Sequence, residues 1–395
     1  MRVSCSERKL AEMYSQVHQL MYPFGVYCLG TMESTNQILV TGVPGPTLDA
    51  ETAKMFRRVQ PGGYILFGRN VESAVQLRKL VDDLRDLSQV EPFIMIDEEG
   101  GRVSRIRKIG HELPSAQQYR MRGDRSLVQR HGQLTGQLMR LFGMNLNLSP
   151  VLEVSLDDDA DNSLRGRCYG TSPEQVIDFA SVFNAALRSE GILGCGKHFP
   201  GYAGVEVDPH HDLPSTKRTR EDLDAVELVP YLKLMGELDS IMTGHTWYPY
   251  FDSKPMPSSL SFNVVRKLLR EEIGYQGLVI SDDLDMGALL RLFTQAESIR
   301  RAVEAGNDQI LICHRVDSLP NAAKALKDVA SRELDRALEH IHFAKGKLSP
   351  PHAFSEARFD ELNAAVWNLR VETLGEDRAR IRSIDSSKRS PVERF

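Results

Sequence analysis

Short apolar segments alternate with longer amphipathic segments through most of the chain. The longer segments have the periodicity of helices, and the short ones have the length and composition of buried strands. Eight short segments stand out: Gln37–Thr41, Tyr64–Phe67, Phe93–Ile96, Leu146–Leu148, Ile192–Gly196, Ser240–Thr243, Gly277–Ile280 and Gln309–Ile312. Strands that alternate with helices predict a parallel sheet, and eight such units predict a closed barrel. We therefore predict an α/β fold built as a single (β/α)8 barrel of the TIM type.

The alternation predicts one barrel domain with an extension at each end. The barrel domain covers residues 34–350, which leaves residues 1–33 and 351–395 as extensions. The first extension has helical spacing from Arg8 to Met21. In the second, the spacing predicts a helix from Phe354 to Leu374, and a charged tail from Asp377 to Phe395 that we expect to be flexible.

Polar or ionisable residues follow almost every predicted strand. They are Arg69 after the second strand, Asp97 after the third, Glu153 after the fourth, Lys197 and His198 after the fifth, His245 after the sixth, Asp282 and Asp283 after the seventh, and His314 after the eighth. Because the strands of such a barrel are parallel, their carboxyl ends meet at one face, which is where these barrels keep their active sites. The convergence predicts an enzyme.

Two carboxylates at strand ends each have a functional and a structural interpretation. Asp282, next to Asp283, is a candidate nucleophile or acid/base group, or else a cap for the following helix. Asp97 is a candidate acceptor for ligand hydroxyls beside Arg102 and Arg105, or else a partner in an internal salt bridge. Position alone leaves both interpretations open for each residue.

Two pairs of polar residues lie at and after the end of the fifth strand. Lys197 and His198 are adjacent, so their side chains would point to opposite faces of a regular strand, a restriction that relaxes where a strand ends. Asp208 and His210 lie two residues apart in a glycine-bearing loop, where a carboxylate can orient an imidazole for acid/base catalysis. The remaining loop carboxylates are interpreted as solvated charges: Glu98, Glu99, Asp157, Asp158 and Asp159.

The composition narrows the class of protein. A hydrophobic content of 41% and a charged content of 26% are typical of soluble globular proteins, and a net charge of −5 argues against non-specific nucleic-acid binding. No run approaches the ~20 apolar residues of a membrane helix, and the N-terminus lacks the pattern of a signal peptide. The five cysteines are scattered, and the histidines lack metal-site spacing. We expect a cytoplasmic protein with no cofactor, metal, nucleic-acid or membrane partner, and the pattern specifies no oligomeric state.

The strand-end residues also belong to short motifs of a known family. In chain order these are Asp-x-Glu-Gly-Gly-Arg-Val at Asp97–Val103, Asn-x-x-Pro-Val-Leu at Asn147–Leu152, Lys-His-Phe-Pro-Gly at Lys197–Gly201, Asp-x-His at Asp208–His210, Met-Thr-x-His at Met242–His245, and Ser-Asp-Asp-Leu-x-Met at Ser281–Met286. Together they resemble glycoside hydrolase family 3, specifically the β-N-acetylglucosaminidase branch with its bacterial cell-wall-recycling β-hexosaminidases. The resemblance covers about Gln37 to Leu348.

The resemblance implies a retaining hydrolase of terminal β-linked N-acetylglucosamine (GlcNAc), with peptidoglycan-derived 1,6-anhydro-muropeptides as the substrate in the cytoplasm. It implies that Asp282 is the nucleophile and that His210 is the acid/base group, with Asp208 as its partner. The sugar contacts that it implies are Asp97, Arg105, Arg167, Lys197 and His198. The chain departs from the family pattern at Tyr202, at Pro209, and at Glu153, where aspartate is usual.

Four rival functions stay open at this stage. A phosphorylase is one, since a neutral histidine does not repel phosphate as a carboxylate would. The others are a β-glycosidase with a different sugar preference, a catalytically inactive sugar-binding protein and a metal-dependent hydrolase.

Overall fold

The computed structural model describes residues 35–159, 162–202 and 213–383. All eight predicted strands are present: β1 (Leu39–Gly42), β2 (Gly63–Leu66), β3 (Phe93–Ile96), β4 (Leu146–Asn147), β5 (Leu193–Phe199), β6 (Ser240–Thr243), β7 (Leu278–Ser281) and β8 (Ile310–Ile312). They form one parallel sheet in which sequential strands are neighbours and β8 pairs with β1. The Ser281 N–H also donates to the Gln309 carbonyl at 2.9 Å, which links β7 to the start of β8. The sheet is thus nearly closed, and the predicted (β/α)8 fold is confirmed.

Helices fill the connections and cover the outside of the sheet. The α-helices are α1 (Ala50–Val59), α2 (Ala74–Leu87), α3 (Ala116–Arg122), α4 (Arg125–Phe142), α5 (Pro173–Ser189), α6 (Arg220–Asp222), α7 (Leu228–Leu234), α8 (Gly287–Leu290), α9 (Gln295–Ala305), α10 (Leu319–Ala325), α11 (Ser331–Lys345), α12 (Glu356–Leu374) and α13 (Glu376–Ala379). Two segments are π-helical, Leu223–Glu227 and Asn263–Glu272. Short 3₁₀ turns are Asn36–Ile38, Gly68–Asn70, Ile106–Lys108, Ser258–Leu260, Val316–Ser318 and Leu326–Asp328.

Local sequence explains where these helices begin, end and pack. Ser172 caps α5 by accepting the Gln175 N–H, and Pro173 occupies the first helical position. At its C-terminus, α9 stops at Gly306, whose positive φ of 123° is one that glycine adopts readily. In α2 the buried residues are spaced three or four apart: Leu77, Leu80, Val81, Leu84 and Leu87.

The strands are buried along their whole length, as expected for a parallel sheet covered by helices. The fifth strand is longer than predicted, because β5 continues through Lys197 and His198 to Phe199. Pairing between β5 and β6 shifts register between Lys197 and Phe199, which marks an irregularity at the carboxyl end of the strand. The strand therefore carries both polar side chains into the buried end of the barrel.

The predicted C-terminal helix is present as α12, which packs against α4 and is followed by α13. The predicted helix at Arg8–Met21 lies outside the described residues, as does the predicted charged tail from residue 384 onward. The first residues of that tail are described: Asp377 lies in α13 and Ser383 donates to Glu112, so the expectation of a flexible segment is wrong for residues 377–383. Within the described ranges, no helix combines the length and apolar character that crossing a membrane requires.

Candidate active site

A buried ion cluster occupies the carboxyl ends of β3 and β5. The Lys197 ammonium lies 2.6 Å from Asp97 Oδ1 and 2.6 Å from Glu99 Oε1. Arg105 approaches Asp97 Oδ2 at 3.3 Å, and Arg167 binds both oxygens of Glu99 at 2.8 Å. The structure thus brings together four of the predicted sugar contacts, and Asp97 does form an internal salt bridge.

The solvated-charge interpretation of two loop carboxylates is wrong. Glu99 is almost completely buried because Arg167 and Lys197 neutralise it. Glu98 is also buried, since its Oε2 accepts the backbone N–H groups of Arg105 at 2.8 Å and of Ile106 at 3.1 Å. The partners of Glu99 are far from it in sequence, and those of Glu98 are brought to it by the bend of its own loop. Neither set of contacts can be seen without the folded structure. Asp157 and Asp159 are exposed as predicted, whereas Asp158 forms a salt bridge with the buried Arg120 and accepts a hydrogen bond from Ser155.

Charge pairing decides the ionisation of this cluster. Burial by itself would raise the pKa of Asp97, but Lys197 and Arg105 outweigh it and hold that pKa below its ordinary value. For Lys197, burial opposes the charge and the carboxylates of Asp97 and Glu99 reverse the effect, so its pKa is raised. The cluster therefore stays charged near neutral pH, with Asp97 as a fixed hydrogen-bond acceptor.

His198 is held by a buried carboxylate that the sequence analysis did not assign to the site. Glu153 Oε1 accepts the backbone N–H of His198 and lies 2.7 Å from its Nδ1. A carboxylate on Nδ1 favours the proton there and leaves Nε2 for a ligand. The ring edge of Tyr202 packs on His198 with centroids 5.0 Å apart. The position of Glu153 after the fourth strand was the available signal for its role.

Asp282 lies at the end of β7 and is fixed by backbone contacts. Its N–H donates to the Thr243 carbonyl at 2.9 Å, and its Oδ1 accepts the Asp283 N–H at 2.8 Å. The helix-cap interpretation is wrong, because α8 begins only at Gly287 and its N-cap residue is Met286. Burial would raise the pKa of Asp282, yet the nearby His245 and His198 keep it below its ordinary value.

The residues around Asp282 tie the neighbouring strand ends together. His245 is fully buried, with Nδ1 2.8 Å from Ser259 Oγ and Nε2 2.9 Å from the Asp283 carbonyl. A carbonyl can only accept, so Nε2 carries a proton. Asp283 in turn accepts the Cys313 N–H at 3.1 Å. Asp283 thus braces β7 against β8, while Asp282 faces the barrel mouth with partial exposure.

Two predicted catalytic residues, Asp208 and His210, lie outside the described residues. The chain on either side of them is described and contacts the segment after β6. Before them, the Tyr202 hydroxyl accepts the His245 N–H at 3.0 Å. After them, the Trp247 N–H donates to the Pro214 carbonyl at 2.7 Å. The roles of Asp208 and His210 stay predictions.

Comparisons by family model, by sequence and by structure all find similarity to one group of proteins. Residues 15–343 match the family model of the glycosyl hydrolase family 3 N terminal domain. The chain is 34% identical over 297 residues to a β-hexosaminidase of Alkalilimnicola ehrlichii, covering 73% of this chain and 84% of that protein. It is 31% identical over 290 residues to a β-hexosaminidase of Pseudomonas aeruginosa, covering 73% and 86%. A solved glycoside hydrolase family 3 β-N-acetylglucosaminidase from Paenibacillus sp. has a TM-score of 0.81 at 28% identity, over 88% of this chain and 69% of that one.

Proposed function

The chain belongs to glycosyl hydrolase family 3, and we propose that it is a retaining β-N-acetylhexosaminidase that removes terminal β-linked GlcNAc. One observation carries the proposal: an ionised carboxylate, Asp282, faces the barrel mouth beside a buried, charged cluster suited to binding sugar hydroxyls. The relatives named β-hexosaminidase support the choice of an amino sugar.

In the first step, Asp282 attacks the anomeric carbon. A bond forms between its carboxylate oxygen and that carbon while the bond to the leaving oxygen breaks, and the imidazolium of His210 protonates that oxygen. In the second step, His210 takes a proton from water, the water oxygen attacks the same carbon, and Asp282 leaves as a carboxylate. A lowered pKa suits Asp282 to this role, because the attacking group must be ionised.

The ion cluster would hold the sugar in the position that this attack needs. Asp97 accepts hydrogen bonds from sugar hydroxyls, whereas Lys197, Arg105 and Arg167 donate them. His198 contributes Nε2, since Nδ1 is engaged by Glu153. Charged hydrogen bonds of this kind are worth about 1.5–3 kcal/mol each, so they supply both affinity and orientation.

A screen of aryl glycosides tests the assignment. We expect hydrolysis of the β-GlcNAc glycoside at a kcat/KM well above those of the β-glucoside, β-xyloside and β-GalNAc compounds. Product from early time points should be the β-anomer of free GlcNAc in proton NMR. A preferred sugar other than GlcNAc would overturn the specificity, and an α-product would overturn retention. Formation of a sugar 1-phosphate in phosphate buffer would indicate a phosphorylase instead.

We further propose that the physiological substrate is a peptidoglycan-derived 1,6-anhydro-muropeptide, met in the cytoplasm. Both parts rest on the family resemblance of the motifs at Lys197–Gly201 and Asp208–His210. Release of GlcNAc from purified muropeptides, together with fractionation of native cells, tests them. Cleavage of chitobiose but not of muropeptides would contradict the first part, and activity in the extracytoplasmic fraction would contradict the second.

Replacing Asp97 with asparagine is expected to lower kcat/KM for the β-GlcNAc glycoside by about ten- to a hundredfold. The amide keeps the shape but no longer neutralises Lys197 and Arg105, and it presents an NH₂ group where sugar hydroxyls need an acceptor. Steady-state kinetics give the result. Asp159→Asn changes an exposed carboxylate and serves as the matched control. Wild-type efficiency in Asp97→Asn would remove Asp97 from the sugar site.

Replacing Tyr202 with phenylalanine is expected to lower the melting temperature by a few degrees and kcat/KM by severalfold. The change removes the acceptor of the buried His245 N–H while leaving the ring against His198. Thermal unfolding and kinetics measure the two effects. Tyr250→Phe, at an exposed tyrosine, is the control. Identical behaviour of the two variants would show that the hydroxyl has no positioning role.

A further inference from the structure

The loop that follows β3 is held by hydrogen bonds to the C-terminal segment, which comprises α12, α13 and the residues up to Ser383. At the centre of the contact is Glu112, whose carboxylate is buried. It receives Arg107 at 3.0 Å, Arg370 at 3.1 Å, and both the N–H and the hydroxyl of Ser383, at 3.2 Å and 2.6 Å. Arg370 also donates to the Glu112 carbonyl at 2.9 Å. One buried carboxylate thus joins the loop to two parts of the C-terminal segment.

Arg370 is itself fixed within the C-terminal segment. It lies on α12 and is almost completely buried, and its Nε donates to the Ala379 carbonyl at 2.8 Å. Further along, Arg382 donates to the carbonyls of Arg107 and Gly110 at 3.2 and 3.3 Å. The loop cannot shift at these points without breaking several hydrogen bonds.

Two further side chains of α12 contact the loop at His111, next to Glu112. Asn363 Oδ1 accepts the His111 N–H at 2.6 Å. The rings of His111 and Trp367 lie 4.9 Å apart between centroids. The outer part of the loop is therefore held by side chains along one stretch of α12.

The inner end of the same loop carries sugar contacts. Glu98 accepts the Arg105 and Ile106 N–H groups, and Arg105 reaches Asp97 at 3.3 Å. The turn Ile106–Lys108 connects this inner end to Arg107, which binds Glu112. Only Ile106 therefore separates Arg105, at the sugar site, from Arg107, which binds Glu112.

We propose that Arg370 is a positioning residue for the sugar site, acting through Glu112 on the loop that carries Asp97 and Arg105. This inference rests on the proposed function, since it assigns those two residues to sugar binding. The segment that contains Arg370 lies beyond residues 15–343, the part that matches the family model. A loop held in its binding conformation loses less conformational freedom when the sugar binds. The C-terminal extension thereby positions the substrate site without contacting the sugar.

The test compares Arg370→Met with Arg358→Met. Both arginines lie on α12, but Arg358 is exposed and pairs with Glu361. In Arg370→Met we expect KM for the β-GlcNAc glycoside to rise on the order of tenfold with kcat within about twofold of wild type. Amide exchange at Arg105 and Ile106 should accelerate. Arg370→Lys, which retains one donor group, should recover part of the KM effect, and Arg358→Met should match wild type.

A role confined to folding predicts a different pattern. It would lower the amount of active enzyme, and so the apparent kcat, with KM and amide exchange at Arg105 unchanged; that result would overturn the proposal. If Arg370→Met does not fold, Ser383→Ala removes one ligand of Glu112 from a partly buried site and should raise KM in the same direction. Unchanged KM in Ser383→Ala would then overturn it. Failure of the wild type to hydrolyse the β-GlcNAc glycoside would reject the proposed function. Accelerated amide exchange in Arg370→Met would still show that Arg370 holds the loop after β3 in place.

Discussion

Asp282→Ala is expected to lower kcat for β-GlcNAc glycosides on the order of 10⁶-fold, the scale seen when a catalytic nucleophile is removed. Alanine cannot form the covalent intermediate, and no other carboxylate among the described residues replaces it, since Asp283 is engaged with β8 through the Cys313 N–H. The sugar contacts at Asp97 and Lys197 remain, so the affinity for GlcNAc should change by only a fewfold. Stopped assays over hours and equilibrium titration with GlcNAc measure the two quantities.

Two additions sharpen this experiment. Azide should restore turnover of an activated aryl glycoside in Asp282→Ala, because the small anion can attack the anomeric carbon from the vacated side and give the α-glycosyl azide. Asp283→Asn keeps an acceptor for the backbone groups that Asp283 holds and should lose less than about tenfold. A larger loss in Asp283→Asn than in Asp282→Ala would reverse the assignment.

His210→Ala is expected to lower kcat/KM for a natural GlcNAc disaccharide by about 10²–10⁴-fold, the contribution of a general acid. A sugar alkoxide is a poor leaving group unless it is protonated, whereas dinitrophenolate leaves without help. The same variant should therefore lose much less on the dinitrophenyl glycoside. Asp208→Ala should show a milder form of this pattern, because the imidazole remains but has lost the carboxylate that orients it.

The comparison needs a neighbouring histidine as its control. His211→Ala should cleave both substrates at close to the wild-type rates. Equal losses on the two substrates in His210→Ala would mean that His210 is not the acid. His198, His211 and Glu206 would then be the groups to vary, and His198 already has a carboxylate partner in Glu153.

Hydrophobic periodicity was enough to predict every strand, because each strand of a covered parallel sheet is a short run of apolar residues. The residues at which the strands begin and end are harder to predict. The run at Ile192–Gly196 stops where Lys197 begins, yet the strand continues to Phe199 because buried partners satisfy both polar side chains. Likewise the apolar pattern includes Gln37 in the first strand, but the Gln37 side-chain amide donates to the Gln60 carbonyl and the residue lies in a 3₁₀ turn.

The sequence indicated the residue types of the site and not the pairs that they form. Glu99 meets Arg167 across 68 residues, and Glu112 meets Arg370 across 258. Pairing at such distances depends on how the strands and helices are arranged in space, and hydrophobic periodicity carries no information about that arrangement. For this reason the sequence predicts Glu98 and Glu99 as solvated charges and does not predict the contact of α12 with Glu112.

The charge cluster also restricts how this enzyme can evolve a different specificity. Its members neutralise one another, so a single neutral substitution removes at least one partner from a buried charge, and breaking such a buried pair costs about 3–5 kcal/mol. Mutational paths through the cluster therefore have to change residues in pairs: Asp97 with Arg105 or Lys197, and Glu99 with Arg167 or Lys197. Directed-evolution libraries that vary one position at a time should recover new sugar preferences at positions outside the cluster, while the cluster stays unchanged.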